Sequence, residues 1–592
     1  MMFKKRTSPG LGAMLSACAA LCAAATLGAA TAFAAASVLN SPHNLSASGA
    51  RGKHGVAFAD ETRVCIFCHA PHNANTSGPL WGRGALPDKA YKPYDSSTLK
   101  ANPKPDKPTG ASRLCLSCHD GTIALGQFVG SPILSSTTMP WDSNPTNNPN
   151  LSTDLSDDHP ISFAYTEALA TSQGELASPS ALPYQVKLEQ GTQLQCTSCH
   201  DPHNNEFGNF MVINNNASGS PLCIACHKNA GWPGSSHNPQ NTPELASGCL
   251  NCHYVHNAPQ PVRLLKSKKE EDTCLLNCHN SSGPAQQNVK PLFDSSRHRH
   301  PMDATTGVHD EKELLPAQNY HVQCVDCHNP HRAYRPGTPL SNPPAINGSL
   351  VGVRKDSTAN ATREYEICFK CHAGGNANKF SGFTESPPNR VIQEPDQMKR
   401  FDGMNPSFHP VVAQRRTNGS SLITALQSTM LMVYCSDCHN SDESIKAGGS
   451  GPSGPHGSRY EHILMFRYDM PLAQAPRSSY SASLYDLCFR CHAESFIMGS
   501  SSGFVASGAS EHATHVRDRG VPCFACHDPH GVSSLSLPPG TPQNNAHLIN
   551  FNVDYAANSS VPSPFYQTLS SRSGSCTVSC HSVGGATHSY AP

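Results

Sequence analysis

Apolar residues are unevenly distributed along this 592-residue chain. From Thr7 to Ala50 no Asp, Glu, Lys or Arg interrupts an Ala-, Leu- and Gly-rich run that follows Lys4, Lys5 and Arg6. A basic start, an apolar stretch and small residues at its end mark an export signal. Cleavage is expected after Ala34 or Ala36, so that residues 1–36 leave the mature chain. Leu15-Ser16-Ala17-Cys18 also resembles a lipoprotein cleavage site, although the Ala-rich run beyond Cys18 is less polar than most lipoprotein starts. The run is long enough to act as an uncleaved anchor, but Ala and Gly make it weakly hydrophobic. No later stretch is apolar enough to span a bilayer. Past the run, the notable apolar residues sit beside cysteines: Ile66, Phe67, Leu116, Ile224, Phe369, Phe489 and Phe524. Glycine (44) and proline (49) punctuate the remainder, which disfavours long helices and wide sheets. The expected fold is mostly irregular loops with short α-helices at the Cys motifs and little β structure. The longest spacers, 121–195 and 374–434, are expected to hold hairpins or surface loops.

Composition sharpens this. Only 37% of residues are apolar and 15% charged, with 43 Lys and Arg against 43 Asp and Glu. Side chains alone would make a thin core for this length, and a neutral polypeptide lacks the basic excess of a nucleic-acid binder. Two counts stand out, 26 Cys and 32 His. So many thiols in one exported chain must be oxidised, metal-bound or covalently occupied.

With Cys18 and Cys22 assigned to the signal, the other 24 cysteines form twelve pairs, each followed at once by His. Ten are CxxCH: Cys65/Cys68/His69, Cys115/Cys118/His119, Cys196/Cys199/His200, Cys223/Cys226/His227, Cys249/Cys252/His253, Cys324/Cys327/His328, Cys368/Cys371/His372, Cys435/Cys438/His439, Cys488/Cys491/His492 and Cys523/Cys526/His527. Two carry one extra residue, Cys274/Cys278/His279 and Cys576/Cys580/His581. Two thiols at this spacing can form thioethers to the two vinyl groups of one haem while the adjacent imidazole binds its iron, and C-x-x-C-H is the attachment signature of haem c. Zinc ribbons, disulfide frameworks and thioredoxin-like pairs use similar Cys spacings, but none requires His after every pair. The expectation is twelve covalently bound haems c. Porphyrins then supply the missing core, and without haem the chain should be largely unfolded, as metal-nucleated modules are.

Twenty histidines remain. One recurs three residues after the proximal His at the first, third, fifth, seventh and eleventh motifs (His72, His203, His256, His331, His530), always odd and never even. Such alternation means a two-haem unit repeated along the chain. The repeats are expected to occupy 37–170, 171–240, 241–318, 319–420, 421–505 and 506–592. The ninth motif, Cys438-His439-Asn440-Ser441, lacks the copy, but His456 or His462 follows. Each unit also has an upstream His: His43 or His54, His159, His237, one of His298, His300, His309 and His321, His409, and His512 or His515. His159, His300 and His409 precede Pro, which stiffens the backbone beside them. The expected distal ligands are His43, His72, His159, His203, His237, His256, His300, His331, His409, His456, His515 and His530. In the expected arrangement the upstream His caps the odd iron and the following His reaches the even iron of the same pair. About eight histidines, His547 and His588 among them, are left over.

Phrases such as Val64-Cys65-Ile66-Phe67-Cys68-His69-Ala70-Pro71-His72-Asn73 and Cys324-Val325-Asp326-Cys327-His328-Asn329-Pro330-His331 resemble the paired-CxxCH multihaem cytochromes c of metal-reducing bacteria. The resemblance covers most of the mature chain. It implies an exported protein wrapped around a chain of bis-histidine haems in close contact, passing electrons from the periplasm or outer membrane towards extracellular acceptors such as metal oxides. It also implies partners among other c-type cytochromes and outer-membrane conduit proteins, and dependence on the cytochrome c maturation machinery. In that family the His of CHxxH commonly ligates a neighbouring haem, which carries over to His72, His203, His256, His331 and His530.

Bis-histidine irons stay six-coordinate and suit a relay, with low reduction potentials. The alternatives are a multihaem reductase acting on nitrite, hydroxylamine or a sulfur oxyanion through one open iron, and a subunit of a conductive filament. Each haem carries two propionates, so the loaded protein should be acidic although its polypeptide is neutral. It should dock on basic partner surfaces in a salt-sensitive way.

Overall fold

The structure is a computed structural model. It describes residues 37–590 except 50–53, 77, 84–89, 131–132, 217–218, 286, 294–296, 303–321, 334–340, 347, 356–358, 375–387, 417–418, 428–431, 469–479, 534–544, 558–559, 571–572 and 582–586. The export signal with Cys18 and Cys22, and the candidate ligands His309 and His321, lie outside the described residues. The chain divides into two compact units, Met1–Lys268 and Lys269–Pro592. The division falls inside the segment expected to hold the fifth and sixth haems.

Regular structure is sparse and short, as the Gly and Pro content predicts. The longest described helix, Gly110–His119, has ten residues. Helix and turn alternate with the motifs. The even motifs through the tenth begin on α-helices: Gly110–His119, Pro221–Cys226, Glu270–Leu275, Glu364–His372 and Asp486–Phe489. Odd motifs sit on single 3-10 turns, Cys65–Phe67, Cys196–Ser198, Gly248–Asn251, Cys435–Asp437 and Cys523–Ala525, the seventh being one α-turn, Cys324–Cys327.

Local sequence explains the difference. Glu270, Glu271 and Asp272, or Glu364 and Glu366, place acids in a first turn, where the helix dipole favours them. Several odd motifs instead run into Asp201-Pro202, Asn329-Pro330 or Asp528-Pro529, and a residue before proline is pushed out of the helical region. In the third, seventh and ninth motifs the residue just before the second Cys secures the turn. Ser198 Oγ, Asp326 Oδ2 and Asp437 Oδ2 accept the backbone N–H of Gln195, Gln323 and Tyr434 at 3.2, 2.9 and 2.7 Å.

In the first unit, Phe163–Ala164 pairs antiparallel with Gln193–Leu194, so the 121–195 spacer does contain a small paired ladder. Helix Glu167–Gln173 lies between these strands in the sequence, and Phe163, Tyr165, Leu169 and Leu194 form one apolar cluster with Ala101. A second cluster joins Phe58, Phe67, Leu125 and Phe128. Phe67, Leu116 and Phe524 are buried, but Ile224 is exposed.

In the second unit, two-residue strands pair across long sequence distances, His298–Arg299 with Gly457–Ser458 and Ser407–Phe408 with Gly531–Val532. The last described elements form a three-stranded antiparallel sheet in the order 587–590, 573–577, 565–570. The twelfth motif thus starts on a strand, with Cys576 opposite Tyr566, rather than on the expected short helix. Aromatic and β-branched residues in Phe565-Tyr566-Gln567-Thr568 favour that choice. Among the described residues no helix is long and apolar enough to cross a membrane.

Candidate haem sites

The Cys-His motifs present their imidazoles in one recurrent way. The ring Nδ1 meets a backbone carbonyl further down the chain: His69 with Pro79 O at 3.1 Å, His119 with Pro149 at 2.7 Å, His200 with Asn209 at 2.8 Å, His253 with Arg263 at 2.9 Å, His279 with Gln287 at 3.0 Å, and His439 and His527 with His462 and His547 at 2.8 Å. A carbonyl only accepts, so Nδ1 carries the proton and Nε2 keeps its lone pair. This is the outer-shell bond that orients a metal-binding imidazole. Burial pushes His119, His328 and His439 below the ordinary imidazole range and His200 and His527 down to about 4. Neutral rings are what a metal requires.

Nine of the proximal rings face a second imidazole among the described residues. The pairs are His69–His203, His119–His43, His200–His256, His227–His159, His328–His456, His372–His300, His439–His530, His492–His409 and His527–His512, with ring centroids 5.9–6.4 Å apart. Two imidazoles bound at about 2 Å to one metal between them, the length familiar from zinc sites, place their centroids about 6 Å apart. The residues present therefore fit an iron held from both sides, with two cysteines beside the proximal ring in each case to carry the porphyrin.

The direction of most pairings reverses the sequence expectation, the upstream His512 opposite the odd His527 being an exception. His43, His159, His300 and His409, the upstream histidines, face the even proximal histidines of their pairs rather than the odd. His203, His256 and His530 do not reach the even partner in their own pair; they face the odd proximal His of the preceding pair, His69, His200 and His439. At His203 and His530 the Pro of Asp-Pro-His turns the chain out of the helical path just after the proximal His, so the third residue points away from its own site, and His256 takes the same course after Tyr254-Val255. His72 is exposed, and no described imidazole faces it. In the last pair His512, not His515, faces His527; the His515 ring bonds back to Glu511 O at 2.7 Å. His512 opens a π-helical stretch, Ala513–Asp518, a feature often found at functional sites. His237 and His331 are half-buried.

The gap after the ninth motif is an insertion. Asn440 is followed by residues 441–454, and then by Pro455-His456. The loop is pinched at its neck, where Ser441 N–H bonds Gly454 O at 3.0 Å and Gly454 N–H bonds Asn440 Oδ1 at 2.6 Å. Bypassing the loop restores His439-Asn440-Pro455-His456, the pattern of His328-Asn329-Pro330-His331, and His456 faces His328 as the repeat requires.

The candidate distal histidines of successive sites are locked together. The carbonyl of the proline before one distal His accepts from the other: Pro202 from His43 at 3.3 Å, Pro455 from His300 at 2.9 Å, and Pro529 from His409. The two-residue strands do the same job, since 298–299 and 407–408 immediately precede His300 and His409 while 457–458 and 531–532 immediately follow His456 and His530. The third and fourth sites, which lack that proline, use His159 N–H to Val255 O at 2.9 Å.

Sulfur positions give the order of the sites. The first cysteines of an even and the next odd motif meet within hydrogen-bond reach: Cys115–Cys196 and Cys223–Cys249 in the first unit, Cys274–Cys324, Cys368–Cys435 and Cys488–Cys523 in the second. Second cysteines of an odd and the next even motif come within electrostatic reach: Cys68–Cys118 and Cys199–Cys226, then Cys327–Cys371, Cys438–Cys491 and Cys526–Cys580. Side chains at the start of even helices tie down the next odd motif, as Ser112 Oγ accepts Cys196 N–H at 3.0 Å, Ser220 Oγ accepts Cys249 N–H at 3.0 Å and Glu364 Oε1 accepts Ser436 N–H at 2.9 Å. Within each unit, sites adjacent in sequence are adjacent in space.

Three expected site residues differ from these regular series. Cys252 closes the turn of the fifth motif, with its N–H on Cys249 O at 3.2 Å and its carbonyl accepting Lys266 N–H at 3.0 Å. Cys278, displaced by the extra residue of the sixth motif, lies beyond the end of helix Glu270–Leu275 rather than on the expected short helix. There His279 N–H reaches back five residues to Cys274 O at 3.0 Å, and Cys278 O accepts Ala285 N–H at 3.3 Å. Cys252 and Cys278 are the second cysteines of an odd motif and the next even one, but they belong to different units, so the sulfur series is traced within each unit and not across them. His581, the expected proximal ligand of the twelfth site, ends the 3-10 turn Ser579–His581. Its ring lies outside the described residues, and its assignment rests on its place directly after Cys580.

Comparison with known proteins agrees. The family described as "Doubled CXXCH motif" matches residues 189–231, which hold one odd and one even motif. A curated relative, multiheme cytochrome MtrA of Shewanella baltica, is 30% identical over 194 residues, covering 30% of this chain and 42% of the relative. The chain is a multihaem c-type cytochrome built on paired CxxCH motifs, with haem c bound covalently at such motifs.

Proposed function

We propose that this chain is an exported relay that passes electrons along twelve bis-histidine haems c in sequence order within each unit. Haem c supplies an iron that changes oxidation state by one electron. Facing imidazoles, the observation that carries the reading, would hold such an iron from both sides and leave a substrate no place on it. Cysteines of successive motifs within each unit bring the sites close together. The proximal ligands are the twelve histidines following the cysteine pairs, His581 among them by its motif alone. Cys252 and Cys278 carry the fifth and sixth porphyrins with Cys249 and Cys274. Distal ligands are assigned to eleven of the twelve sites, His43, His159, His203, His256, His300, His409, His456, His512 and His530 with His237 and His331 through their places in the repeat, and the twelfth would take one of the histidines left over. The basic then apolar N-terminus and the resemblance of the motifs to cytochromes c of metal-reducing bacteria support a periplasmic or outer-membrane location, other c-type cytochromes or conduit proteins as partners, and delivery towards extracellular acceptors such as metal oxides. The cytochrome c maturation machinery would load it.

Pyridine haemochrome analysis per mole of protein, combined with EPR of the oxidised form, tests this. Twelve haems with low-spin ferric signals are expected. Fewer than ten would overturn the count, and a stoichiometric high-spin signal would favour a reductase with an open iron.

A further inference from the structure

The distal imidazoles are not held alike. His256, which faces His200, places its Nδ1 3.0 Å from Oδ1 of Asp158. Asp158 is 4% exposed, its Oδ1 also accepts Asn257 N–H at 3.1 Å, and its Oδ2 is buried without a hydrogen bond. The carboxylate is thus shielded from water and directed at one ring. His43 and His300 bond only neutral backbone carbonyls through Nδ1. His456 and His530 have a buried Nδ1 with no hydrogen-bond partner. His203 has a carboxylate nearby, but Asp201 stands 3.8 Å away and both side chains are well exposed, beyond hydrogen-bond length.

A buried carboxylate draws the Nδ1 proton towards itself and makes the opposite nitrogen more basic, as in carboxylate–histidine–metal arrangements. A more basic axial ligand favours the ferric over the ferrous ion, since second-shell hydrogen bonding and local charge both set haem potential. We propose that Asp158 is a positioning residue that acts through His256 to hold the third haem at a lower reduction potential than carbonyl-bonded or unbonded distal rings would. The proposal rests on reading His256 as an axial ligand. Because Asp158 directly precedes His159, which faces His227, one dipeptide serves two consecutive sites while charging the ligand of only one.

The test is Asp158→Asn in the full-length holoprotein, since the amide oxygen can still accept from Nδ1 without the charge. Optical redox titration should show one haem's share of the reduced α-band moving to higher potential, with that haem still low-spin by EPR. Asp201→Asn should leave the titration as in the unaltered protein. Superimposable curves for Asp158→Asn, an equal shift with Asp201→Asn, or conversion of one haem to high-spin would overturn the proposal, the last by showing that Asp158 merely holds the ring in place. His256→Ala separates the two readings: if every haem stays low-spin, the ligand assignment itself is wrong.

Discussion

His203 faces His69 at a ring separation of 6.1 Å although it lies two motifs further along the chain. The first site would therefore be completed by the turn that follows the third motif, and the same ring pairing links His200 to His256 and His439 to His530. Substituting His203→Ala should turn one ferric haem from low-spin to high-spin in EPR, whereas His72→Ala, at the matching motif position, should leave every haem low-spin. A high-spin signal from His72→Ala alone would reverse the assignment.

The eleventh site takes its second imidazole from its own segment. His512→Ala should create one carbon monoxide-binding haem per chain in the reduced protein, read from the shift of the Soret band. No binding above the unaltered protein would remove His512 from the ligand set.

Residues 441–454 form a closed excursion between Asn440 and Pro455. Deleting them and joining Asn440 to Pro455 should keep His456 opposite His328, so the EPR spectrum should remain low-spin throughout. The loop's Asp442 and Glu443 pair with Arg297, and Asp442 also with Arg459, so the deletion should lower stability, measurable by denaturant unfolding. A new high-spin haem would show that the loop positions the ligand rather than being looped out.

Glu364 joins the helix of the eighth motif to the turn of the ninth. Its carboxylate accepts Ser436 N–H and Oγ–H, both at 2.9 Å, while burial raises its pKa despite these bonds. A carboxylate whose pKa is higher folded than unfolded binds more protons in the folded state. Its contribution to stability therefore falls as pH rises from the ordinary glutamate value through the raised one. Glu364→Gln should flatten that part of the stability–pH curve. Glu364→Ala, which leaves the Ser436 amide without its acceptor, should cost about 1–3 kcal/mol.

Much of the site was legible because covalent chemistry fixes local spacing. Two thiols and an imidazole for one porphyrin must lie close together in the chain, so all twelve motifs could be read directly. The odd-numbered recurrence of His203, His256 and His530 also exposed the repeat. What could not be read was direction. Whether His203 reaches forward to His227 or back to His69 depends on where a proline sends the chain and on strands of two residues, such as 407–408 with 531–532, too short to leave a hydrophobic pattern. The extra residue before Cys278 was visible, but not that it would carry this cysteine past its helix. His512 and His515 carry equal local signals, and only the π-helical turn distinguishes them. The split Asn440…Pro455-His456 motif left a fragment of pattern on each side of a loop, and its identity depends on two hydrogen bonds at the neck. Asp158 left no sequence signal, since one acid before a His-Pro is unremarkable until its oxygen is seen on a ring belonging to another pair.

The backward reach of these histidines also gives the protein a temporal order. If the chain is exported from its N-terminus, as proposed, the first motif would be offered to haem attachment long before His203 arrives, and the third before His256 does. An odd site would then lack its second imidazole until the following turn emerges, as each row of knitting is secured by the next. A chain cut between one repeat and the next would leave an odd site open, whereas His512, turned back on its own motif, would close the eleventh without waiting for a later turn.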